Sequence, residues 1–245
     1  MRRNPVRWIV GVIVAAVIVF AAIGSLSHSS FDPPAATPVG TSEPAGIASP
    51  PPSGSPGTAL AELQLLPVKG KSPMTGYSRT GDFGRAWLDV DHNGCDTRND
   101  ILARDLTSID RPGGCRVLTG TLAEPYTGKV IDFVRGNRTS TLVQIDHLVA
   151  LGNAWQTGAQ KLTQEQRTDL ANDPLELLAV DGSSNESKGD GDAATWLPPR
   201  KAFRCAYVAR QVAVKTKYHL WVTPAEKAAI ARILTACPGQ PAITG

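Results

Sequence analysis

Hydrophobic and polar positions divide the chain into three stretches. Arg2, Arg3 and Arg7 lead into an uninterrupted apolar run from Trp8 to Ile23. At about 16 residues the run lies between a signal-peptide core and a full membrane span, so residues 1–26 are expected to act as a signal peptide or signal anchor. The arginines would stay inside the cell and the rest would cross. Ala22-Ile23-Gly24 is a permissive cleavage site, and no cysteine follows that would carry a lipoprotein anchor. From residue 27 to 58 large apolar residues almost vanish among Pro, Ser, Ala and Gly. Such a stretch buries no core and is expected to be a disordered tether. Periodic hydrophobicity returns at Ala59, and residues 59–245 are long enough for one domain with a core of its own.

Within that domain Leu60 to Leu66 reads as a short amphipathic helix, followed by Pro/Gly punctuation through Gly81. A helix is expected around Ile101 to Leu106. Val117 to Leu122 and Val130 to Val134 alternate about the turn Glu124-Pro125-Tyr126-Thr127-Gly128, the pattern of a hairpin. Val143 and Ile145 flank Gln144 in a strand, and Leu177, Leu178 and Val180 form a second that stops at the turn signal Asp181-Gly182. Ser183 or Ser184 is placed to cap a helix beginning near Asn185. Thr163 with Gln166 is a capping box for a helix to Leu170. Lys201 to Tyr218 carries Phe203, Tyr207, Val208, Val212 and Val214 at helical spacing. Thr223, Pro224 and Glu226 then supply cap, first-turn proline and capping-box acid for a helix to Ala236. With these strands and helices the fold class is expected to be α+β.

Charge changes this picture little. The whole chain carries +3, and setting aside three arginines with Asp32 and Glu43 in the first 58 residues leaves +2. That lacks the strongly basic footprint of tight nucleic-acid binding and points to local, transient contacts. Cysteine changes it more. Cys95, Cys115, Cys205 and Cys237 all lie in the exported part, where an even number reads as two disulfides. Of the three pairings, sequence neighbours are favoured: Cys95 with Cys115 and Cys205 with Cys237, the latter stapling the two C-terminal helices. A zinc site is the rival, but close C-x-x-C pairs are missing.

Candidate chemistry sits at the ends of the two expected strands. The first ends in Asp146-His147 and the second leads to Asn185. Hydrolysis of a phosphodiester needs a base for water and hard oxygen ligands for a divalent cation. His147, with an ordinary pKa near 6.5, suits the base. Asp146 and the Asn185 side-chain oxygen suit Mg²⁺. Neighbours on an extended chain point to opposite sides, so Asp146 can face the metal and His147 the water.

The stretches CDTRNDIL (Cys95 to Leu102), VQIDHLVALGNAW (Val143 to Trp155) and NDPLELLAVDG (Asn172 to Gly182) resemble the GmrSD-type HNH endonuclease family in its small exported form, over about Leu60 to Pro238. The resemblance implies a ββα-metal (HNH) core with His147 as base and Asp146 and Asn185 as metal ligands. One position departs. The family usually has Asn two residues after the Asp-Pro, as a brace for the loop between the strands, and this chain has Glu176. A carboxylate replaces the accepting half of such a brace and would lose the donating half or recruit a cation such as Arg167 or Lys188.

Two further cations are candidates for phosphate. Lys188 follows the motif in a polar, Gly-rich loop, where a solvated role competes. Arg98 is expected to be exposed, with a fork suited to phosphate and a salt bridge to Asp100 or Asp105 as the rival. Asp89, Asp91, Asn93 and Asp100 match part of an EF-hand loop, an incomplete Ca²⁺ pattern that Asx turns also produce. His28 falls in the tether, and His92 and His219 read as surface or core residues. The expectation is an extracytoplasmic, Mg²⁺-dependent endonuclease, secreted or held by its N-terminal segment. Its partner is nucleic acid, DNA favoured over RNA; no protein partner is expected and membrane contact comes only through an uncleaved N-terminus. The alternative is a disulfide-stabilised, non-catalytic envelope protein that retains the fold and binds a partner or Ca²⁺.

Overall fold

The computed structural model describes residues 54–136 and 139–244. The expected signal segment and most of the expected tether lie outside the described residues. Thr58, the last residue assigned to the tether, already belongs to the fold: it caps α1 (Ala59–Leu65) and bridges to Pro241. There follow α2 (Arg79–Phe83), α3 (Thr97–Asp105), β1 (Thr107–Asp110), β2 (Thr119–Ala123), β3 (Val130–Val134) and β4 (Val143–His147). The chain continues with α4 (Leu151–Gln156), α5 (Gln164–Asn172), β5 (Leu177–Asp181), α6 (Gly182–Lys188), α7 (Arg204–Lys217) and α8 (Pro224–Thr235). Single 3₁₀ turns precede α5 and α7.

The strands form two antiparallel sheets, β1-β2-β3 and β4-β5. In the second, Ile145 pairs with Ala179, Asp146 with Leu178 and His147 with Leu177. Alternation therefore puts Asp146 on one face with Leu178 and Val180, and His147 on the other with Ile145 and Leu177. Both faces are covered. Leu178 and Val180 join Leu63, Tyr207, Val212 and Ile230 in a cluster under α1, α7 and α8. Ile145, Leu177 and Ala179 join Ile101, Leu102 and Phe133 on the α3 side. A third cluster gathers Phe83, Leu151, Trp155 and Leu170 around α2, α4 and α5. The β4-β5 sheet is thus an internal platform, and its last residues are held between the clusters.

Both capping boxes form, Thr163 with Gln166 and Thr223 with Glu226. The disulfides join Cys95 to Cys115 and Cys205 to Cys237, and no cysteine is free, so the zinc alternative falls. The second bridge ties the start of α7 to the end of α8. One boundary is corrected: α6 starts at Gly182, not near Asn185, and its cap is Asp181, which accepts from the Ser184 amide at 2.8 Å. The reason is close approach. A Cβ at residue 182 would stand 2.0 Å from the Thr141 carbonyl oxygen, so glycine alone lets the chain turn from strand into helix against β4.

A candidate active site at the end of the two-stranded sheet

His147 closes β4 with its ring almost buried. Nε2 lies 3.0 Å from the carbonyl oxygen of Ala171, an acceptor only, so this nitrogen carries the proton and donates. The lone pair is then on Nδ1, which accepts from Arg79 Nη2 at 3.3 Å. Trp87 stacks on the ring, centroids 6.2 Å apart and planes at 22°. Trp87 holds that place with a left-handed φ of 64°, and the residue after it is pinned where the Leu88 amide donates to Asn172 Oδ1 at 3.0 Å. The imidazole is not the near-neutral group its residue type suggests. Burial first, then the charges of Arg79 and Lys188, bring its pKa down from 6.5 to about 3 against the opposing pull of the Ala171 bond.

Asp146 faces the other way. Oδ1 accepts from Lys188 Nζ at 2.8 Å and Oδ2 from the Tyr126 hydroxyl. Lys188 also donates to the His147 carbonyl at 2.6 Å, closing a ring between the end of β4 and the end of α6. Tyr126 is fully buried on the turn between β2 and β3, and burial followed by the Asp146 charge raises its pKa well above the ordinary value. It therefore remains a donor.

The expectation that Lys188 and Arg98 stand open to a phosphate is corrected. Lys188 is buried because its ammonium has a carboxylate and a carbonyl to satisfy it inside. Arg98 is half-buried; Nη2 donates to the Val143 carbonyl at 3.2 Å and the guanidinium lies 6.0 Å from the Trp87 ring centroid. Neither Asp100 nor Asp105 pairs with it; Asp105 pairs with Arg104. Arg98 thus braces β4 and, through Trp87, the His147 ring. In the Asp89–Asp100 loop, Asp89 accepts from the Asn93 and Gly94 amides and Asp91 from Asn93, as in Asx turns. Burial, then the charges of Asp91, Asp96 and Asp89, raise the pKa of Asp100.

Glu176 is fully buried and both carboxyl oxygens accept from the Val149 amide, at 3.0 and 3.2 Å. It braces the chain leaving β4, as the accepting half of an asparagine would. No cation hydrogen-bonds to it among the described residues; Arg167 instead donates to the carbonyls of Asp82, Ala159 and Leu162. Burial raises the Glu176 pKa well above the ordinary value, and the protonated form carries a donor beside its acceptor.

Asp146 and His147 border a polar cleft of about 160 Å³ that is also lined by Arg79, Asn185 and Asp190, with Ala150 and Gly189 beside them. Asn185 lines it from α6, its Nδ2 donating to Gln144 Oε1 at 2.8 Å. Asp190 lies close over the first turn of α4, 2.5 Å from where a Cβ on Gly152 would be. Among the described residues no group of three or more His, Cys, Asp or Glu is gathered for a metal. The donor set nevertheless suits a hard cation. A carboxylate has about four lone-pair sites, of which Lys188 and Tyr126 take two on Asp146, and Mg²⁺ needs only one or two carboxylates with waters completing its shell. Arg79, Trp87, Tyr126 and Asp190 carry no motif in the sequence. Tyr126 lay in view as the centre of a turn, and nothing in the spacing of the others marks them.

Comparison with known proteins gives the chain relatives. The family described as GmrSD restriction endonucleases, C-terminal domain, matches residues 96–233. An uncharacterized secreted protein of Arthroderma benhamiae is 36% identical over 196 residues, 79% of this chain and 92% of the relative. No solved structure matches. Extent of match and identity together carry the assignment: the chain belongs to the family of GmrSD restriction endonuclease C-terminal domains.

Proposed function

We propose that the protein is an exported, divalent-cation-dependent endonuclease, built on a ββα-metal (HNH) core of β4, β5 and α6 and acting on nucleic acid, DNA favoured. One observation carries the reading: the adjacent Asp146 and His147 and the helix residue Asn185 border one polar cleft, with the imidazole lone pair on Nδ1. The family's description as restriction endonucleases supports DNA, and the relative's description as secreted supports an extracytoplasmic site of action.

His147 takes a proton from water on Nδ1 as the water oxygen attacks phosphorus. The Ala171 carbonyl, fixed on Nε2–H, orients the ring and stabilises the imidazolium that forms, and the Trp87 stack prevents rotation. The P–O3′ bond breaks, leaving a 5′-phosphate and a 3′-oxygen that is protonated from solvent. Asp146 and Asn185 would hold the cation, which when bound stabilises charge building on the phosphorane and the departing oxygen. Lys188 and Tyr126 keep Asp146 in place, and by sharing its charge they make cation affinity modest. At rest, burial and the Arg79 charge keep the imidazole neutral at working pH but also make it a weak proton acceptor, so its basicity rises when the neighbouring positive charge is taken up by an anion.

Purified protein should nick supercoiled plasmid in Mg²⁺ and stop on addition of EDTA. If no divalent cation supports nicking, the enzyme reading fails and a non-catalytic binding role takes its place.

A further inference from the structure

Arg79 is the strongest group in the cleft that the motif does not use. It lies outside residues 96–233, so family membership assigns it nothing. Its helix is fixed at both ends: Ser78 caps it, Phe83 is buried in the core, and α5 grips it through Gln164 on the Gly81 carbonyl and Arg167 on the Asp82 carbonyl. The side chain is nonetheless exposed, and among the described residues it forms no ion pair with a carboxylate. Its guanidinium lines the polar cleft and an adjoining small apolar pocket walled by Phe83, Trp87, Leu151 and Ala171. One of its five N–H groups covers Nδ1 of His147, and with no carboxylate on the guanidinium among the described residues the fork can take an anion.

These positions conflict for a base at rest. Nδ1 is the lone pair that water must reach, since Nε2–H is held by Ala171, yet an arginine N–H occupies it. A guanidinium binds phosphate through two parallel N–H···O bonds between opposite charges, whereas its contact with the neutral imidazole is a single bond of 3.3 Å. We propose that Arg79 is the phosphate-binding residue of this site, and that engaging the scissile phosphate draws its guanidinium off Nδ1, so that the base is uncovered only when substrate is in place. The proposal rests on the nuclease reading above and adds a residue and an order of events to it. Arg79 would meet the substrate through phosphate alone and contribute no base specificity.

The test uses the full chain with a labelled DNA duplex and a plasmid. In a His147→Ala background, which does not turn over, replacing Arg79 with Ala should weaken duplex binding and reduce the slope of log affinity against log salt by about 0.9, one phosphate contact. In the otherwise native protein Arg79→Ala should raise KM at least tenfold, and Arg79→Lys, which keeps the charge, should recover most of KM. Acylation of His147 by diethyl pyrocarbonate, followed by mass spectrometry, should be slow in the native protein and faster in Arg79→Ala, because the lone pair is then open. An unchanged salt slope, or equal acylation rates, overturns the assignment while native cleavage leaves the nuclease reading standing. Failure of the native protein to cleave at all removes both.

Discussion

Two lysines are buried against carboxylates in this fold, and they do different work. Lys215, wholly inside α7, bonds Glu226 at 2.9 Å, the Trp221 carbonyl at 3.0 Å, Asn153 at 3.2 Å and Thr157 at 3.3 Å. It thereby joins α4, α7 and the start of α8, where Glu226 also completes the capping box. None of these groups lines the cleft that holds His147. Lys188 has fewer partners, Asp146 and the His147 carbonyl, but Asp146 lines the cleft that holds His147. One pair is a joint between helices. The other sets the charge and position of a buried carboxylate that lines the cleft holding His147. A buried ion pair is weak evidence for either role by itself; what its carboxylate touches next decides.

The largest expected effect lies on the scaffold side. Lys215→Ala leaves Glu226 buried without its cation and should cost about 3–5 kcal/mol in denaturant unfolding. Lys215→Met with Glu226→Gln should recover most of it, while cleavage per folded molecule and cation affinity stay unchanged. On the site side, Lys188→Met should cost on the order of 3 kcal/mol by the same reasoning, and calorimetric titration should show tighter Mg²⁺ binding because Asp146 no longer shares its charge. Tighter cation binding in the Lys215 variant, or none in the Lys188 variant, would erase the distinction.

The third effect belongs to His147. Its folded pKa of about 3 is below the unfolded 6.5, so between those values the unfolded chain binds more protons. Stability is present in full above pH 6.5 and is lost as pH falls toward 3. Between pH 7 and 5 the loss should be about 2 kcal/mol, at 1.36 kcal/mol per pKa unit, and His147→Gln should remove that share of the slope. The smallest effect is at Glu176. Glu176→Gln keeps an oxygen for the Val149 amide and should change stability by less than about 1 kcal/mol, with cleavage within a few-fold of the native rate.

Where local chemistry decides, the sequence could be read directly. The capping boxes at Thr163 and Thr223, the β2-β3 hairpin and the disulfide neighbours all follow from residues a short distance apart, and all are present. The polar, four-residue β1 and the short α2 escaped because neither has a hydrophobic period; tertiary contacts make them. The same limit governs the site. Asp146, His147 and Asn185 were legible as a strand-end pair and a helix residue. Arg79, 68 residues from His147, was not, because tertiary contacts bring it there: Phe83 packs among α4 and α5, and Gln164 and Arg167 bond the carbonyls of α2. Burial inverted two further readings: it made Lys188 an interior ion-pair partner and the imidazole a far weaker base than its residue type.

The central claim is that His147 takes the proton from water. The direct measurement is the initial nicking rate of supercoiled plasmid in Mg²⁺ by native protein and by His147→Ala, each first shown to be folded by its unfolding transition. Native protein should nick and the variant should fall by a factor of about 10² or more. A folded His147→Ala that nicks at the native rate would contradict the account.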